Sequence, residues 1–138
     1  MAVIQPKGAL GYAPLPATRE ELARIQKHVP PENLVCLGIP GAPALIDTVL
    51  SHLPTVSIAH FACHGEQGAM NPLSSALILE DGQLNLSRIM KQSIPRATLA
   101  FLSACQTSTG DAKLPDEAIH LAAALLFTGF RGTVATMW

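Results

Sequence analysis

Two apolar runs with almost no polar alternation, Val56 to Ala62 and Thr98 to Ala104, constrain this chain more than any other feature. A strand with one face in water alternates apolar and polar residues, whereas a strand covered on both faces does not. Both runs therefore predict central strands of a parallel sheet. Parallel neighbours need long crossovers, usually helical, and helical patterns do lie between the strand candidates.

The pattern along the chain runs as follows. Ala2 to Gln5 is a short first strand ended by Pro6, and the Gly/Pro-rich stretch Gly8 to Pro16 is loop. Thr18 and Glu21 have the spacing of a capping box, and Leu22, Ile25 and Val29 fall on one helical face until Pro30-Pro31 stops it. Asn33 to Leu37 is a second strand. Ala44 to Leu53 is a helix with a wide apolar stripe. Two apolar runs flanking Asp81-Gly82 predict a hairpin across Ala76 to Leu86, after which Ser87 caps a short helix through Gln92. Asp116 to Thr128 is a buried helix with Gly129 at its carboxyl end, where positive φ is wanted. Gly132 to Met137 is a last strand. The sum is one α/β domain over residues 1–138 with a mainly parallel central sheet.

Composition narrows the partners. At 138 residues the chain is long enough for one hydrophobic core. A formal net charge of -1, without any Lys/Arg cluster, argues against nucleic acid and anionic lipid. No apolar stretch approaches the length of a bilayer span, and no signal segment follows Met1, so the expected setting is the cytoplasm. Three cysteines, Cys36, Cys63 and Cys105, make a poor disulfide framework and are read as free thiols.

Ligands of open parallel sheets gather at the carboxyl ends of the strands. One central strand leads into Cys63-His64-Gly65, and the other into Ser103-Ala104-Cys105-Gln106-Thr107. If the two strands are neighbours, His64 and Cys105 emerge on the same rim. A thiol and an imidazole together suffice for covalent acyl transfer, because only the thiolate is a strong nucleophile and the imidazole takes its proton. Gly65 lacks a side chain beside His64, so its N–H and that of Cys105 would serve an oxyanion hole.

His64-Gly65 after one apolar strand, followed 41 positions later by Cys105 within Ser103-Ala104-Cys105-Gln106-Thr107, resembles the CHAT family. CHAT domains are relatives of caspases and separases. The similarity extends through Leu73 to Leu77, Thr109-Gly110-Asp111, the apolar helix at Ala118 to Phe127, and Ala135-Thr136-Met137-Trp138. It implies a caspase-like three-layer sandwich and a cysteine peptidase using a Cys105/His64 dyad, with Gly65 at the oxyanion hole and no metal or organic cofactor. Implied partners are protein or peptide substrates and regulatory helical repeats of the tetratricopeptide kind. The family usually continues past the strand that here ends at Trp138, so a C-terminally truncated domain is expected, lacking the usual last helix and strand. That expectation raises an alternative function: a non-catalytic pseudo-peptidase or interaction module, or a fragment needing a partner domain.

Other residues have plainer readings. Cys63 and Cys36 are packing. His60 is a core histidine bonded to backbone, sharing strand parity with His64. Asp81 belongs to its turn; Glu66 and Asp111 are solvated loop residues near the site; Ser103 and Thr107 either hydrogen-bond near the nucleophile or have ordinary strand-end roles. A zinc site from His60, Cys63, His64 and Cys105 lacks any paired ligand spacing.

Overall fold

A computed structural model describes residues 1–66, 72–103 and 118–135. Strand β1 (Ala2–Ile4) leads through the Gly/Pro loop to helix α1 (Ala17–His28). Then come β2 (Cys36–Leu37), α2 (Ile46–His52) and β3 (Ile58–Ala62). The chain next builds β4 (His64–Glu66), β5 (Ala76–Leu79), β6 (Gly82–Asn85) and the one-turn α3 (Leu86–Ile89). It closes with β7 (Leu99–Leu102), α4 (Ala118–Phe127) and β8 (Gly132–Ala135).

Five strands form one sheet in the order β2-β1-β3-β7-β8, and every pairing in it is parallel. The two apolar runs are indeed its centre and are neighbours, in the register Ile58↔Leu99 to Phe61↔Leu102. The ladder reaches one step further, because the Ser103 N–H donates to the Phe61 carbonyl at 2.8 Å. A second, three-stranded antiparallel sheet runs β4-β5-β6. Its β5–β6 pair is the hairpin that Asp81-Gly82 announces.

Helices cover both faces, which makes a three-layer sandwich. On one face the main core joins Val49, Leu50 and Leu53 near α2, Ile89 of α3, and Leu121, Ala124 and Leu125 of α4 with Val3, Phe61, Cys63 and Leu102. On the other, Leu22 and Ile25 of α1 pack with Ala2, Ile4 and Ala62.

Several local expectations need correction. The capping box does not form. Helix α1 already starts at Ala17, so Thr18 lies inside it and its hydroxyl donates to the Leu15 carbonyl at 2.7 Å; Glu21 is free for a tertiary role. Ser87 likewise lies inside α3, which begins at Leu86. Beyond its turn, Asp81 accepts the Ile46 N–H at the start of α2 at 2.9 Å, while Glu80 accepts that of Ala44. The hairpin tip thus supplies α2 with the acceptor that its own flanking Leu45 lacks. The β3 run is not covered along its whole length: Ile58 is 53% exposed, Val134 of β8 is 45% exposed, and Leu99 and Phe101 are half-buried. The expected bounds near Ala104, Asp116 and Met137 lie outside the described residues. No helix among the described residues is long and apolar enough to cross a membrane.

Candidate functional site

His64 opens β4, directly after the chain leaves the carboxyl end of β3. Because β3 ends at Ala62, strand parity does not carry from His60 to His64, and the two histidines serve different surroundings. His64 is 3% exposed. Its strand pairs antiparallel with β5, placing His64 opposite Ile78, Gly65 opposite Leu77 and Glu66 opposite Ala76.

The Gly/Pro-rich loop shapes the surroundings of His64. Gly8, Leu10 and Gly11 all have positive φ, so the segment doubles back, and a Cβ on Gly8 would sit 2.3 Å from the Tyr12 carbonyl oxygen. This fold-back lays the Tyr12 ring over the His64 imidazole, with ring centroids 5.0 Å apart. It also brings the Ala13 carbonyl oxygen to 2.8 Å from Nε2 of His64. A carbonyl oxygen only accepts, so Nε2 carries the proton. In the neutral ring Nδ1 is then the basic nitrogen. In the neutral ring this backbone carbonyl selects the tautomer, and together with Tyr12 it helps to orient the imidazole.

Glu66 is the last residue of β4 rather than a loop residue. Its Oε2 accepts from the Tyr12 hydroxyl at 2.8 Å and from Nε2 of Gln83 at 2.5 Å. This hydrogen bond raises the Tyr12 phenol above its ordinary pKa. The pair ties the loop to the small sheet and keeps Tyr12 over His64.

A second polar cluster lies on the α1 face. Oε2 of Glu21 accepts from Nε2 of His60 at 2.9 Å, and Oε1 accepts from the Ser103 hydroxyl at 3.0 Å. His60 stacks on Phe101, with centroids 5.2 Å apart. Its partner is thus a carboxylate and not the backbone acceptor expected. Burial holds the His60 imidazole below the usual histidine value, against the opposing pull of Glu21. Of the two roles open to Ser103, the hydrogen-bonding one is seen: its hydroxyl joins this cluster, two positions before Cys105 in sequence.

Cys63 is fully buried in the main core, and burial pushes its thiol up to about 12. It is packing, as expected, and no nucleophile near neutral pH. Cys36 is a half-buried free thiol beside α1, with Nε2 of Gln26 at 3.9 Å. Gln5, next after β1, donates its backbone N–H to the Ala62 carbonyl at 2.9 Å, yet its side-chain Nε2 is buried without a hydrogen-bond partner. No three His, Cys, Asp or Glu side chains among the described residues come together to hold a metal. Cys105, Thr107 and Asp111 lie outside the described residues.

A model of the CHAT domain matches residues 3–138. The chain belongs to the CHAT domain family. Its parallel five-stranded sheet between helices is the caspase-like α/β architecture of this peptidase-related family. No curated protein matches the chain. Tyr12, Ala13 and Glu21 contact the candidate residues of this CHAT domain, and the sequence did not single them out as such. The closeness of positive-φ glycines to an aromatic was the only signal for the first two. For Glu21 the signal was present but was assigned to a helix cap.

Proposed function

We propose that this CHAT domain is a cysteine endopeptidase in which Cys105 is the nucleophile, His64 the general base and the Gly65 N–H part of the oxyanion hole. The observation that carries the reading is the Ala13 carbonyl on Nε2 of His64. It assigns the proton of the neutral imidazole to Nε2, which makes Nδ1 the basic nitrogen, and the ring is buried at the carboxyl rim of the sheet, where covalent chemistry in such folds is sited. The neighbouring strand at that rim, β7, runs through Ser103 toward Cys105 in sequence.

The chemistry follows from these roles. Nδ1 of His64 takes the Cys105 thiol proton, and the sulfur attacks the scissile carbonyl carbon, forming a C–S bond and an oxyanion. Backbone N–H groups stabilise that oxyanion. The C–N bond then breaks as the imidazolium returns its proton to the leaving amine. Water, deprotonated by His64, attacks the thioester, releases the acid and restores the thiol. Substrates are proteins or peptides, helical-repeat domains are candidate regulators, and a cytoplasmic setting keeps such a thiol reduced.

A second reading, a non-catalytic interaction module, is favoured by the exposed apolar residues Ile58 and Val134, with half-buried Phe101, on one sheet face. One experiment separates the two. Alkylation of each cysteine is followed by mass spectrometry against pH, in the parent and in His64→Ala. Selective reaction of Cys105 near pH 6 that is lost in His64→Ala supports the peptidase. A Cys105 that reacts no faster than Cys36 and ignores His64 leaves the interaction module.

A further inference from the structure

The two clusters are held by one stretch of chain. Residues 12 and 13 contact His64, and eight positions later Glu21 bridges His60 and Ser103. Glu21 and Ile25 are four apart on α1 and share a flank of the helix, and Ile25 packs on the sheet. That packing delivers the Glu21 carboxylate to the sheet surface between two adjacent strands. Each of its oxygens is used by a different strand: His60 lies within β3, and Ser103 follows the last residue of β7. The Ser103 backbone N–H is bonded to β3 as well. Ser103 is therefore held at both its backbone and its side chain, two residues before the proposed nucleophile.

We propose that Glu21 is a positioning residue: by bridging His60 and Ser103 it fixes the carboxyl end of β7 at Ser103, two positions before Cys105 in sequence, relative to the segment that orients His64. The inference rests on the peptidase reading for its catalytic consequence. Its physical content is bridging by two hydrogen bonds, one to each strand, not the charge itself. Glutamine at position 21 still bridges, because its Oε1 accepts from His60 and its amide donates to the Ser103 hydroxyl, which also accepts. Leucine keeps the volume and loses both bonds. Serine to threonine keeps the hydroxyl; serine to alanine removes it.

The test measures Cys105 alkylation by iodoacetamide at pH 7 in the parent, Glu21→Gln, Glu21→Leu, Ser103→Thr, Ser103→Ala and the Glu21→Leu/Ser103→Ala double variant. Glu20→Gln, on the exposed side of the same helix, is the control. Misplacing a reacting group by an ångström costs up to about a hundredfold in rate. Glu21→Leu and Ser103→Ala should therefore slow Cys105 at least about tenfold while Cys36 is unchanged. Glu21→Gln and Ser103→Thr should stay within about threefold of the parent, and the double variant should be no slower than Glu21→Leu, since both changes break one network.

A parental rate in Glu21→Leu, an equal loss in Glu21→Gln, or additive losses in the double variant overturns the inference. If Glu21→Leu does not fold by circular dichroism, Ser103→Ala decides in the same way. A parent without selective Cys105 reactivity refutes the peptidase reading instead, and the bridge is then judged by amide hydrogen exchange over residues 99–103. Faster exchange in Glu21→Leu but not in Glu21→Gln supports the bridge, and unchanged exchange overturns it.

Discussion

Cys63 immediately precedes His64, so its reactivity tests whether the proposed nucleophile is correctly chosen between two cysteines. Its thiol is pushed up to about 12, chiefly by burial, while the Ile78 backbone N–H pulls slightly the other way. At pH 8 a thiol of pKa about 12 is ionised to about one part in ten thousand, against about one in four for a free cysteine of pKa about 8.5, a deficit of roughly 2,000-fold. A more basic thiolate is a better nucleophile, and a Brønsted slope of about 0.45 over about 3.5 units returns roughly 40-fold. Ionisation alone thus makes Cys63 about 50-fold slower than a free thiol in disulfide exchange. Its zero exposure adds to that, because the reagent must wait for the core to open. The assay is reaction with an aromatic disulfide, resolved by peptide mass spectrometry, in native protein and again in denaturant. The native rate should be at least about 50-fold below the denatured rate at pH 8 and should still be rising with pH at about pH 10. A native Cys63 within about tenfold of its denatured rate, or levelling below about pH 10, would refute the burial argument.

Other perturbations read the same physics. Gly38 has φ +89, and a Cβ there would lie 1.7 Å from the Ile4 carbonyl oxygen, so Gly38→Ala should cost more than about 2 kcal/mol; calorimetry should show Tm lowered by at least about 6 °C. Asp81→Ala removes the acceptor for the Ile46 N–H and should cost about 1 kcal/mol in urea unfolding. Gln5→Met removes the buried unpartnered amide and should be neutral or stabilising by about 1 kcal/mol, read as a raised urea midpoint. The depression of His60 by burial, opposed by Glu21 and reinforced slightly by the Met1 ammonium, sets a sign for pH. The unfolded chain binds the proton more readily, so stability present above about pH 6.5 is lost as pH falls through that value toward the lower native one. His60→Gln should flatten this loss in urea midpoints between pH 8 and 5, and an unchanged slope would count against it.

The features legible in the order of residues are local and periodic. Unalternating apolar runs marked β3 and β7 as central and parallel, although one face of each is only partly covered. Asp81-Gly82 marked the hairpin through its turn chemistry. His64 stood out because a functional side chain follows an apolar strand at the rim where such sheets do chemistry. Cys63 was legible as packing. The roles of Ala13, Tyr12 and Glu21 emerge only in the folded chain. A backbone carbonyl has no sequence signature, so the acceptor that sets the His64 tautomer is invisible until the loop folds back. Glu21 satisfies the capping-box spacing and the His60–Ser103 bridge equally well on paper. The choice fell to helix α1 starting a residue before Thr18 and docking its Ile25 flank on the sheet. Short-range preferences are weak beside the burial of a helix face, and here the burial chose the partner.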